Sequence, residues 1–111
     1  MSEEQSENVG TRLLFENERV RVWDLALQPG EAVEKHIHRE DFLFVVLNGG
    51  SLRHVDPEHP ENDRAVNFVD DQVEFREAKG GTVHNRLINV GTEFYRNIVI
   101  ELKAAPSPDA A

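Results

Sequence analysis

The sequence predicts a small all-β domain, an antiparallel barrel or sandwich. Short apolar segments recur at roughly 8–12-residue spacing, turn residues punctuate them, and no helical periodicity lasts longer than a turn or two. A chain of 111 residues has room for one such domain with a buried core, and not for two.

The elements follow in order. Arg12–Glu16 opens the series and stops at Asn17. Arg19–Gln28 alternates in part and ends at Pro29-Gly30, a strong turn pair. Ala32–His38 comes next, then Phe42–Leu47, apolar at every position and closed by Asn48-Gly49-Gly50. Ser51–Val55 leads into the Pro- and Asp-rich loop Asp56–Asp63. Ala65–Val69, Gln72–Arg76, Thr82–Val90 and Glu93–Lys103 complete a set of about nine strands. Residues 1–10, polar and acidic, read as a flexible arm, residues 11–103 as the folded domain, and residues 104–111, with Pro106 and Pro108, as a disordered tail.

Composition narrows the chemistry. Hydrophobic residues make up 39%, which suits a compact soluble fold. The chain has no cysteine, so disulfides, thiolate metal sites and a cysteine nucleophile are all excluded. A formal charge of -9 repels phosphates and argues against a nucleic-acid partner. No apolar run approaches the ~20 residues of a membrane span, and the acidic start Met1-Ser2-Glu3-Glu4 lacks the basic-then-apolar pattern of a signal peptide. A cytoplasmic protein without a membrane partner is the expectation.

Histidine carries the functional signal. His36 and His38 are two apart on a strand, so both side chains point to one face and form half a first-row metal site. Their position after a Pro-Gly turn and before a fully apolar strand places them at a barrel rim. His84 lies on a later β segment that a barrel can bring alongside. Three neutral imidazoles facing one cavity make a site for one divalent transition metal, with Fe, Ni, Mn, Cu and Zn all compatible. His54 and His59, flanking the Asp56-Pro57-Glu58 turn, read as solvated loop residues.

These residues sit in a recognisable pattern. The segment Gly30–Gly50 resembles cupin motif 1, G(X)5HXH(X)3-4E(X)6G, with the leading glycine, both histidines and the closing glycine in place. The segment Val73–Asn89, with Gly81 three residues before His84, is similar to motif 2, G(X)5PXG(X)2H(X)3N. The resemblance covers Thr11 to Lys103. It implies a jelly roll (double-stranded β-helix) that holds one metal ion on His36, His38 and His84, and a homodimer. The departures are specific. Phe42 and Leu43 stand where motif 1 has its glutamate, Val73 and Lys79 replace the first glycine and the proline of motif 2, and Ile88 replaces its asparagine, with Asn89 one place late. The pattern is that of a small single-domain cupin lacking the glutamate, a group that includes thiol dioxygenases and a diketone-cleaving dioxygenase.

The functional expectation is therefore a three-histidine metalloenzyme, dioxygenase-like with iron, or a metal-dependent isomerase or lyase, acting on a small polar or anionic metabolite. The alternatives are a non-catalytic small-molecule-binding cupin and a cupin with a structural or degenerate metal site. Glu40 and Asp41 read as solvated turn residues, with water completing the metal shell. Trp23, Phe44, Phe75 and Phe94 are candidates to line the cavity, and Arg21, Arg86, Tyr95, Arg96 and Asn97 are candidates to bind an anionic substrate. Strands apolar on both faces suit a barrel whose outside is covered by a second copy.

Overall fold

The computed structural model describes residues 8–104. The arm up to residue 7 and the tail from residue 105 lie outside the described residues. The described residues form eleven strands: β1 (Arg12–Glu16), β2 (Val20–Leu27), β3 (Ala32–Val33), β4 (His36–His38), β5 (Asp41–Asn48), β6 (Gly50–Val55), β7 (Arg64–Phe68), β8 (Val73–Arg76), β9 (Thr82–His84), β10 (Arg86–Asn89) and β11 (Tyr95–Leu102), with one 3-10 turn at Pro60–Asn62. They build a five-stranded sheet β1-β2-β11-β5-β8, a four-stranded sheet β3-β10-β6-β7 and a two-stranded ribbon β4-β9, every pairing antiparallel.

Two expected strands are each cut in two. Val33 pairs with Leu87 in β3-β10, and His36 pairs with His84 in β4-β9. Both pairs belong to one antiparallel register, interrupted at Glu34-Lys35 opposite Asn85. The interruption lets one ladder leave the four-stranded sheet and become the ribbon, so the chain turns the corner that closes the barrel.

Period-two alternation sorts the long strands. On β11, Tyr95, Asn97, Val99 and Glu101 are buried, and on β5 the same holds for Phe42, Phe44 and Val46. With Leu25, Leu27, Val33 and Leu52 the apolar members of this set form the core. On β5 the outward neighbours Leu43, Val45 and Leu47 are apolar too, which is why this strand reads in sequence as an unbroken hydrophobic run. Val9, assigned from sequence to the arm, is 1% exposed and packs in this core, so the folded part begins before Thr11.

The two carboxylates that the sheet buries are matched. Glu101 accepts from Trp23 Nε1 at 2.7 Å and meets Arg21 at 3.6 Å, while Asp24 meets Arg96 at 2.8 Å. Asn89 donates to the carbonyls of Leu27 and Glu93 and ties the four-stranded sheet to the β2 and β11 ends.

Candidate metal centre

The ribbon assembles the three histidines by strand geometry alone. His36 and His38 share a face because they are two apart, and His84 is the direct cross-strand partner of His36. The ring centroids are 4.9 Å (His36–His38), 4.4 Å (His38–His84) and 5.5 Å (His36–His84) apart. One ligand atom from each lies within 4.8 Å of the others, and no further acidic group joins them among the described residues. Gly81, at φ +146°, starts the ribbon's second strand in a conformation that a side-chain-bearing residue rarely adopts. Gly30, at φ +88°, does the same for the turn before β3.

The break in the ladder has a use. With Glu34 outside the hydrogen-bonded ladder, its carbonyl accepts from His36 Nδ1 at 2.9 Å. That bond fixes the tautomer and turns Nε2 with its lone pair toward the cluster. His36 Nε2 stands 3.2 Å from His38 Nε2. That distance fits a hydrogen bond from a neutral His38 Nε2–H to His36 Nε2, and equally two lone pairs converging on one metal ion. Nitrogens sharing one ion at about 2.1 Å lie roughly 3.0–3.4 Å apart for bond angles between octahedral and tetrahedral, so the observed spacing fits. His38 has no such hydrogen bond, for its buried Nδ1 is without a partner. Its ring is held by stacking on Phe42, at 3.9 Å and 14°.

Protonation favours ligation. Burial lowers the pKa of all three imidazoles, to about 3 for His38 and about 4 for His84, with the neighbouring imidazoles adding to the effect in those two. Each ring is neutral near pH 7, so an ion displaces no proton from it.

Phe42 decides what kind of site this is. It occupies one of the two places where a motif-1 glutamate would fall, and its ring lies against His38 and edge-on to His84 at 5.8 Å. A hydrocarbon wall thus stands where a fourth, anionic ligand would approach. Asp41 does not replace it, since its Oδ1 accepts from the Ala78 amide at 2.9 Å and anchors the start of β5.

The cluster opens on a cavity of about 260 Å³ whose walls include Leu25, Phe44, Phe68, Leu87, Tyr95 and Val99. A cupin domain from Bordetella pertussis superimposes with a TM-score of 0.72 over 93% of this chain and 100% of that one, at 24% identity. The fold is that of a cupin. A cupin superfamily protein from Desulfitobacterium hafniense matches 93% of the chain and 84% of its own length, with a TM-score of 0.59 and 18% identity. An RmlC-like cupin family protein with a double-stranded β-helix fold, from Methanocaldococcus jannaschii, matches 90% and 87%, with a TM-score of 0.63 and 14% identity. No family model matches the chain, and no curated protein matches it in sequence. Identities this low establish the fold and leave the chemistry to the site.

The cupin cavity redistributes the other candidates. Phe44 lines it. Trp23 is buried in the Glu101 hydrogen bond, Phe94 is absent from the lining, and Phe75 is 49% exposed on the outer face. Arg21, Arg86 and Arg96 are committed to Glu16 and Glu101, Glu34, and Asp24 respectively, and none lines the cavity. Tyr95 and Asn97 do line it. His54 is a correction: it lies on β6, half-buried in the cavity wall, because β6 runs to Val55 before the loop begins. His59 is exposed, as expected.

Two cavity arginines, Arg64 and Arg76, went unread in the sequence. The signal was parity. Val73 and Phe75 face outward, so Glu74 and Arg76 face in, and Arg64 opposes His54 across β6-β7. Arg76 is ion-paired with Glu74 and lies 5.8 Å from the Phe44 ring.

Proposed function

We propose that this cupin is a mononuclear metalloenzyme, with His36, His38 and His84 holding one divalent ion, iron first among Fe, Ni, Zn, Mn and Cu. Its substrate is a small polar or anionic metabolite, and its chemistry is dioxygenase-like or that of a metal-dependent isomerase or lyase. The observation that carries this reading is the neutral three-imidazole set facing a cavity, with Phe42 in place of an anionic ligand. Bound there, the ion supplies a Lewis-acidic centre with its charge unneutralised and coordination positions free for substrate, and iron adds redox chemistry.

The protein's own part is positioning and exclusion of water. Glu34 holds the His36 ring through its carbonyl, and Phe42 holds His38 by stacking. Phe44, Phe68, Leu87 and Val99 make the wall apolar, which strengthens any charge interaction inside it. Tyr95, its pKa raised to about 12 by burial, keeps its phenolic proton and serves as a hydrogen-bonding group.

The same reading includes a homodimer. Phe15, Val22, Ile100, Leu43 and Phe75 are register partners in one row across all five strands on the outer face. Phe15 is 55% and Phe75 49% exposed. A continuous apolar strip of this kind suits a self-complementary contact with a second copy. The cytoplasm is the proposed compartment, supported by a fold that uses no disulfide.

The test is turnover. Protein loaded anaerobically with Fe(II) is screened against small carboxylates, diketones and thiols with an oxygen electrode and by product analysis. Metal-dependent turnover that disappears in His84→Ala is the expected result. Turnover that persists in metal-stripped protein contradicts the mechanism, and a loaded protein inert to the whole screen favours a binding or structural role.

A further inference from the structure

The cavity wall carries two polar groups that metal binding does not use: one is buried without a full set of partners, and the other is solvent-exposed without an ion pair. Asn97, on β11, is 5% exposed and donates from Nδ2 to Tyr95 Oη at 2.6 Å. Its Oδ1 is buried without any donor. A desolvated amide oxygen left empty is a cost that native proteins rarely carry without a reason. Elsewhere in this barrel buried side-chain oxygens are matched: Asp24 and Glu101 each accept from neighbouring side chains.

Arg64 is the second group. It is the first residue of β7, directly across from His54, and lines the cavity. Burial lowers the pKa values of His54 and His84, and the Arg64 charge adds to that effect. Among the described residues it has no ion pair, although the protein is strongly acidic and an acidic loop adjoins it. The loop's Asp56, Glu61 and Asp63 carboxylates already have partners, Glu61 in an ion pair with His59. Asp56 accepts from the Glu58 and His59 amides and from Asn85, and Asp63 accepts from the Asp56 amide. Arg76, the other cavity arginine, already has Glu74. A solvent-exposed guanidinium without an ion pair, at the wall of a cavity, can receive an anion that enters from solution.

We propose that the cavity binds a small carboxylate that also carries a hydrogen-bond donor, its carboxylate meeting the Arg64 guanidinium and its hydroxyl or amine N–H meeting Asn97 Oδ1. This rests on the reading of the cavity as the substrate site and narrows the substrate class within it. The volume of about 260 Å³ lies just under the usual span of roughly 300–1,000 Å³ for ligand pockets, which restricts the ligand to a small metabolite. Phe44 and Phe68 supply the apolar contact for the carbon skeleton between the two polar ends.

The probes are straight-chain hydroxycarboxylates of two to six carbons, each with a matched carboxylate lacking the hydroxyl and a matched diol lacking the carboxylate. Affinity is read by calorimetry and ligand-observed NMR on the full chain, both zinc-loaded and metal-stripped. At least one hydroxycarboxylate is expected to bind about tenfold or more tightly than both of its controls. Arg64→Gln should erase its advantage over the diol and keep its advantage over the deoxy acid. Asn97→Leu should do the reverse, and if that variant fails to fold, the hydroxyl comparison on the unsubstituted protein carries the same information. Equal binding of the three classes, no binding by any probe, or an unchanged carboxylate preference in Arg64→Gln overturns the proposal. The preference is expected in metal-stripped protein as well, so failure here is separable from failure of the metal reading, which metal content alone decides.

Discussion

The five-stranded sheet and the β4-β9 ribbon divide the labour of this cupin-like fold. The sheet has three eight-residue strands, β2, β5 and β11, whose inner faces supply most of the core. The ribbon has two strands of three residues and carries all three histidines. Apolar burial holds the first together. The second adds little apolar surface and concentrates desolvated, neutral imidazoles that could hold a metal ion. Stability and chemistry are therefore separable by mutation.

The largest effect on folding is expected in the shared core. Leu52, fully buried, should lose about 2–5 kcal/mol on substitution by alanine, seen as a lower melting temperature, while folded protein in the cold still takes up metal. A ribbon substitution should show the opposite profile. His38→Ala is expected to lower metal affinity by 100-fold or more, on the order of 3 kcal/mol, and to alter the metal-free melting temperature far less than Leu52→Ala does. Equal stability losses at the two sites would break the division.

Phe42 joins the two regions, being core by burial and site by its stacking on His38. Phe42→Glu should destabilise the metal-free protein by about 3 kcal/mol, because it removes a buried ring and buries a carboxyl. The same change should tighten metal binding by supplying an anionic ligand. A variant weaker in both respects would show that this position cannot reach the ion.

Protons sharpen the comparison further. The folded pKa values of His38 and His84, about 3 and about 4, lie below the ordinary 6.5. Between those limits the unfolded chain binds protons that the folded chain refuses, so stability of the metal-free protein falls as pH drops below 6.5 and is flat in this respect above it. Melting curves at pH 7.5, 6 and 5 should show that decline, with a shallower slope in His38→Ala. Smallest of all, Arg86→Gln, which removes the exposed pair with Glu34, should shift stability by under about 1 kcal/mol.

Strand positions were legible because turn residues punctuate nearly every boundary; H-x-H on a strand put His36 and His38 on one face, and the motif-2 resemblance added His84, which the structure groups with them. Comparisons with solved cupins bear out the fold expected from the motif resemblance. The ladder break at Glu34 left no mark in the sequence, since nothing in Val33-Glu34-Lys35 marks the point where a continuous strand changes sheets. Burial of Val9 was hidden for a related reason: one apolar residue in a polar stretch has no periodicity to betray it. The choice of arginine failed on parity. Arg21, Arg86 and Arg96 sit in apolar strands and drew attention, yet each has a carboxylate partner outside the cavity. Arg64 stands at a loop–strand boundary, where sequence alone does not say which way a side chain points.

Metal content tests the central claim most directly. Protein exposed to equimolar Zn(II) or Fe(II), freed of excess and assayed by plasma emission, should hold one ion per chain, and His36→Ala, His38→Ala and His84→Ala should each hold essentially none while remaining folded. One ion per chain retained in His84→Ala, or none in the unsubstituted protein, would contradict it.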